Sequence, residues 1–113
     1  MKEGEQYGFK LDDGKAFSGV MHRGEMKMHS IADQPAVVYE DGTAWWYKHN
    51  KIHRDGGPAV VWHNGVEEWF QDGLRHRLPG PAVTYPDSPA IMPQLRGVKQ
   101  YWHFGHLIRE ETP

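Results

Sequence analysis

Cysteine is missing from all 113 residues. That excludes disulfides and cysteine-held zinc sites, and it fits a reducing compartment. Long apolar runs are missing too. No stretch approaches the roughly 18 apolar residues that a membrane-crossing helix requires. The opening "MKEGEQYGFKLDDG" lacks the apolar segment of a secretory leader. A cytoplasmic protein that does not enter a membrane is therefore expected. Serine is scarce, with three in the chain. The chain carries no Gly-x-Ser-x-Gly, no phosphate-binding P-loop, no His-Glu-x-x-His and no dinucleotide fingerprint. No catalytic residue, metal ligand or cofactor is assigned, and a non-enzymatic role is expected. Basic excess is lacking as well. The net charge is −2 with histidine neutral, which argues against long DNA or RNA as a partner.

What the chain does have is turn residues, aromatics and histidine. There are 13 Gly and 8 Pro, spread along the length, with five Trp, five Tyr, four Phe and eight His. Turns at such density leave no room for a helix of ordinary length. The eight histidines add local positive charge below about pH 6.5.

The strongest signal is internal repetition. Pro-Ala-Val occurs at 35–37, 58–60 and 81–83, at a spacing of 23 residues. An aromatic follows each Val by two places (Tyr39, Trp62, Tyr85), and a glycine comes next (Gly42, Gly65). Aromatic pairs follow at Trp46-Tyr47 and Trp69-Phe70, then His53-Arg54 and His76-Arg77, and each unit closes on Gly57-Pro58 or Gly80-Pro81. The third copy continues through Gly97, Tyr101-Trp102 and Arg109 after about nine inserted residues near 86–94. The first copy is degenerate and keeps Gly24, His29 and Pro35. A single domain over 1–113 is expected, with a terminal cap at 1–34 and units at 35–57, 58–80 and 81–113. Asp41-Gly42, Asn64-Gly65 and Asp72-Gly73 between β-prone runs predict successive antiparallel hairpins. The fold class is all-β, a meandering array of 23-residue hairpin repeats without a long helix.

This unit resembles the MORN (membrane occupation and recognition nexus) repeats. It is most similar to variant copies with a His-Arg-x-x-Gly-Pro-Ala core, associated with bacterial and viral proteins. The resemblance covers residues 24–113. It implies an elongated antiparallel sheet and, for most such proteins, a binding role without catalysis.

A feature that returns in every copy reads as a joint of the fold. His53, His76, Gly57, Pro58, Gly80 and Pro81 are accordingly structural candidates, with histidine bridging strands. Arg54, Arg77 and Arg109 fall in one column. With neighbouring aromatics they suit an anion that carries a flat ring, since Arg grips phosphate and a ring stacks the base. Residues that break the pattern are further ligand-binding candidates: His49, His63 and His103, and Trp45, which stands where later copies carry Glu68 and Gln100. The proline-rich 86–96 segment, with Ile91 and Met92, reads as a stiff projecting loop. Adjacent aromatics such as Trp46 and Tyr47 point to opposite faces of a strand, which favours a homo-oligomer covering one of them.

Three function classes follow. The first is a non-enzymatic binder, viral on the resemblance, that captures a host factor or a small nucleotide-like anion in the host cytoplasm. The second is a scaffold that binds only protein. The third is a small hydrolase in which paired histidines cleave a phosphodiester without metal.

Overall fold

The computed structural model describes residues 6–10, 16–22 and 25–113; the Gly24 assigned to the first copy lies outside them. Three longer strands come first: β1 (Gln6–Lys10), β2 (Ala16–His22) and β3 (Glu25–Met28). Two-residue strands follow: β4 (Val37–Val38), β5 (Ala44–Trp45), β6 (Tyr47–Lys48) and β7 (Lys51–Ile52). They continue as β8 (Val60–Val61), β9 (Glu67–Glu68), β10 (Phe70–Gln71), β11 (Leu74–Arg75) and β12 (Val83–Thr84). The chain ends in β13 (Lys99–His103) and β14 (His106–Glu111). Among the described residues the one helical piece is a 3-10 turn at Pro93–Leu95. The architecture is all-β and antiparallel, as the turn signals predict, and residues 35–85 run through consecutive hairpins.

The strands lie in two rows. The main sheet has the order β1-β2-β4-β5-β8-β9-β12-β13-β14, with β3 on β2; β6–β7 and β10–β11 form small ladders beside it. Backbone bonds tie each small hairpin to the next hairpin along the chain: Gly73 N–H donates to Ile52 O at 2.8 Å, and Gly105 N–H, in the β13–β14 turn, donates to Arg75 O at 2.8 Å. The result is elongated, with a radius of gyration of 15.5 Å, against about 13 Å for a compact domain of this length.

Two turn types recur, each set by residue chemistry. In the main row Gly42 and Gly65 sit at φ +94° and +92°, where L side chains are disfavoured. Their N–H groups donate to Tyr39 O and Trp62 O, and the Asp41 and Asn64 side chains accept from Thr43 N–H and Val66 N–H. In the two small hairpins and in the β13–β14 hairpin two successive left-handed residues make each turn: His49-Asn50, Asp72-Gly73 and Phe104-Gly105. That is the type I′ geometry whose twist matches the flanking strands.

Period-two alternation builds the core. Ala36, Ala59 and Ala82 are fully buried, and the adjacent Val37, Val60 and Val83, pointing the opposite way, are buried as well.

The 86–96 segment corrects an expectation. It does not project as a docking arm. Gly97 N–H donates to Tyr85 O, the bond that Gly42 and Gly65 make in their own turns, so the insertion is spliced into one turn of the main row. Ile91, 4% exposed, returns to the sheet and packs with Val66, Val83, Trp62, Tyr85, Leu95 and Trp102. The Arg96 Nε–H clamps the loop by donating to Ile91 O at 2.9 Å. The reason is apolar burial: Ile91 fills the end of a row of valines, while Met92 stays exposed. Ile91→Ala is expected to lower unfolding free energy by about 2–4 kcal/mol in urea denaturation. A loss below about 0.5 kcal/mol would mean that the loop stands free.

Candidate functional site: two arginine-tryptophan clefts

The His-Arg-x-x-Gly-Pro signature becomes a sandwich in three dimensions. The Arg54 guanidinium lies 3.9 Å over the Trp46 ring, and that of Arg77 lies 3.8 Å over Trp69. Glycine lies against the guanidinium as well. A Cβ on Gly57 would sit 2.9 Å from Arg54 Cζ, and one on Gly80 would sit 3.1 Å from Arg77 Cζ. Each arginine then folds back on its own turn: Arg54 Nη1–H donates to Pro58 O at 3.1 Å, and Arg77 Nη1–H to Pro81 O at 3.2 Å. The x-x spacing is thus the reach of an arginine across a glycine to the carbonyl four residues on. A guanidinium on an aromatic face contributes about 0.5–2 kcal/mol, more as it is desolvated. Arg54 is only 20% exposed, so its charge is less open to water than the sequence suggests. Trp46 and Trp69 are covered from within the chain, and these rings call for no second copy.

Histidine fastens each neighbouring hairpin. His53 is buried, and its Nδ1 accepts the Asp72 N–H at 3.0 Å. His76 Nδ1 accepts the Phe104 N–H at 3.1 Å, and His29 Nδ1 accepts the His49 N–H at 3.3 Å. The donors are the first left-handed residues of the type I′ turns. An Nδ1 that accepts carries no proton, so the neutral ring has its proton on Nε2. Each ring is then a donor at Nε2 and has no lone pair left for base catalysis.

Two clefts flank these stacks, and they differ in one respect. The first, of about 400 Å³, is lined by Trp46, His53, Arg54, Asp33 and Asp55 among others. Asp33 presents both oxygens to Arg54, with Nε–Oδ1 at 3.0 Å and Nη2–Oδ2 at 3.1 Å. Asp55 accepts from His53 Nε2–H at 3.1 Å. The hydrogen bond from Arg54 holds the Asp33 carboxyl below the usual carboxylate range, and the one from His53 does the same for Asp55.

The second cleft, of about 340 Å³, is lined by Trp69, His76, Arg77, Gly56, Leu78 and Phe104 together with Asp55 and Gln71. Two places before the anchor proline, Asp33 is replaced by Gly56; two places after the histidine, Asp55 is replaced by Leu78. Among the described residues Arg77 Nε, Arg77 Nη2 and His76 Nε2 have no hydrogen-bond partner. The Asp55 carboxylate in this lining is engaged by His53, and Gln71 Nε2–H lies 3.4 Å from it.

The remaining candidates fall elsewhere. Arg109 stacks on Tyr101 at 3.8 Å and pairs with Glu111 at 3.2 Å, outside both clefts. Trp45 is half-buried in an aromatic group with Tyr39, Tyr47 and Trp62 on the valine side of the sheet, and it lines a separate cavity of about 250 Å³ with Tyr39, Asp41, Thr43 and Trp62. Trp45 Nε1 is buried without a partner. His63 is exposed, pairs with Asp41 at 3.3 Å and lines neither arginine cleft. His103 lies beside His76, ring centroids 5.8 Å apart, and His49 packs on His29 at 4.9 Å. The sequence reading missed Asp33, Gly56, Leu78 and Phe104. Comparing the copies at the positions flanking His-Arg and Gly-Pro would have found the first three. It also missed buried Glu68, which accepts from Trp62 Nε1–H at 2.7 Å and from Arg75 at 2.8 and 3.0 Å.

Among the described residues no group of three or more His, Asp or Glu could hold a metal ion, and no helix is long and apolar enough to cross a membrane. No family model, no curated protein and no solved structure matches the chain.

The Asp33–Arg54 pair sets a pH dependence. A depressed carboxyl pKa gives stability that is complete above the ordinary carboxylate range, about pH 4, and is lost as pH falls through the lower value of Asp33. In Arg54→Met the Asp33 pKa is expected to rise to the ordinary range when followed by carboxyl NMR titration. An unchanged titration would separate Asp33 from Arg54.

Proposed function

We propose that the protein is a non-enzymatic binder that captures a small anion at the Arg77 cleft. The observation that carries this reading is the open Nε/Nη2 edge of a guanidinium already immobilised on Trp69. Arg offers two parallel donors along that edge, which suits a phosphate or carboxylate taken bidentately. Ordering is complete before the ligand arrives, so little side-chain entropy is lost on binding. His76 Nε2–H adds a neutral donor. The Phe104 ring and Leu78, exposed at 60% and 65%, give a planar ligand body an apolar floor. The nucleotide-like ligand anticipated from the sequence fits this division, with one change: Trp46 and Trp69 already hold arginine, and Phe104, stacked on His76 at 3.9 Å through one face, offers its other face.

The recurring arginine, histidine and turn contacts support the 23-residue unit and a MORN-like array. The tautomer of His53 and His76 speaks against the hydrolase reading, because a ring whose Nδ1 is already hydrogen-bonded and whose Nε2 carries the proton cannot take one up. Capture of an anionic signal inside a host cell remains the biological setting this reading favours.

Titration calorimetry with AMP is expected to show one site, with the nucleotide recovered intact after long incubation. Arg77→Met keeps an apolar stem on Trp69 but loses the cation on the ring and the bond to Pro81 O; it is expected to weaken binding about 10- to 100-fold and to lower the melting temperature while the variant still folds. Breakdown of the nucleotide would favour the hydrolase. Absence of any heat or melting shift across a nucleotide panel would favour a scaffold that binds protein alone.

A further inference from the structure

On the reading that Arg77 takes an anion, we infer that the Arg54 cleft is a second site of the same design, kept closed by the chain's own Asp33 and Asp55. The two clefts share their frame: a guanidinium between tryptophan and glycine, an Nη1–H donated to a proline carbonyl, and a histidine with Nδ1 taken by a turn N–H. They differ at the groups facing Nε/Nη2 of the arginine and Nε2 of the histidine. In the first cleft a carboxylate occupies each place; in the second neither place holds one.

Asp33 therefore shows what the frame binds. Its two oxygens lie 3.0 and 3.1 Å from Nε and Nη2 of one guanidinium. The group recognised at Arg77 is a terminal carboxylate or phosphate with two oxygens free, approaching in the guanidinium plane. A carboxylic ester or an amide, neutral and with a single carbonyl oxygen, offers no such face. The closing device also has a backbone basis. Asp33 sits at φ +58° and Gly56 at φ +78°, so the two turns share the left-handed conformation at the same place. Aspartate tolerates that region better than most residues. A Cβ on Gly56 would meet nothing within 4 Å. One residue type at one turn position thus decides whether the guanidinium edge in a cleft is free.

The test exchanges that residue in both directions. Calorimetry with AMP as the phosphate probe and benzoate as the carboxylate probe is run on wild type, Asp33→Gly and Gly56→Asp. Glycine is compatible with the φ of position 33, and melting curves check that each variant folds. The expected result is one site in wild type, two in Asp33→Gly and none in Gly56→Asp. Whether AMP or benzoate binds tells phosphate from carboxylate as the preferred head group. One site in both wild type and Asp33→Gly would overturn the closed-site inference and leave the Arg77 reading standing. No site in wild type with one in Asp33→Gly would overturn the Arg77 reading and keep Asp33 as an occupant. No site in either would overturn both.

Discussion

Everything in this protein leans on a guanidinium that lies flat on a tryptophan. The sheet is built from two-residue strands, and strands that short contribute few ladder bonds. Their large rings must be covered within a thin, elongated body. Arginine does this with a planar cation and an apolar stem. Glycine at 57 and 80 leaves the room, and the proline carbonyls at 58 and 81 fix the position. The histidine one place earlier ties the neighbouring hairpin to the same spot. Strand, turn, stack and joint are consequently placed together, and a charged group is held at the edge of a cleft as a by-product of covering a ring.

That by-product is where function enters. A stacked arginine without a carboxylate retains unmet donors in a fixed direction. In the first cleft the Nε and Nη2 donors are met by Asp33, whereas at Arg109, outside both clefts, Glu111 meets Nη1 alone. At Arg77 they are not, because Gly56 supplies no side chain. The fold needs the arginine; only the neighbouring turn residue determines whether it is also a site. This explains why a net charge of −2 is compatible with an anion cleft: the balance that matters is local, and exposed charges beyond about 8–10 Å are screened.

Much of the fold was legible because turn chemistry and period-two alternation are local. Asp41-Gly42, Asn64-Gly65 and Asp72-Gly73 fall at turns, and Pro-Ala-Val places alanine and valine on opposite, buried sides. The turn at Phe104-Gly105 was less legible, since phenylalanine seldom takes a left-handed φ; there and at His49-Asn50 histidine nitrogens twenty or more residues away hold the turn. The site was half legible. Recurrence pointed to arginine, histidine and glycine, but stacking distance has no signature in one dimension. Asp33 was invisible as long as attention stayed on what recurs. The informative positions were those that vary at a fixed place in the unit, Asp33 against Gly56 and Asp55 against Leu78. Trp45 shows the converse: it varies too, and it does so to fill an aromatic cluster. Ile91 was misread because a proline-rich insertion looks solvent-facing until the exposed row end it covers is known.

The central claim is that one guanidinium edge is occupied and its counterpart open. The most direct measurement is an NMR spectrum of the arginine Nε–Hε groups in the ligand-free protein. The account predicts an Arg54 Hε that is shifted downfield and exchanges slowly with water, and an Arg77 Hε that exchanges rapidly although its ring stack is intact. Equal protection of the two would contradict it, for it would mean that Arg77 also has a partner and that the second cleft is closed.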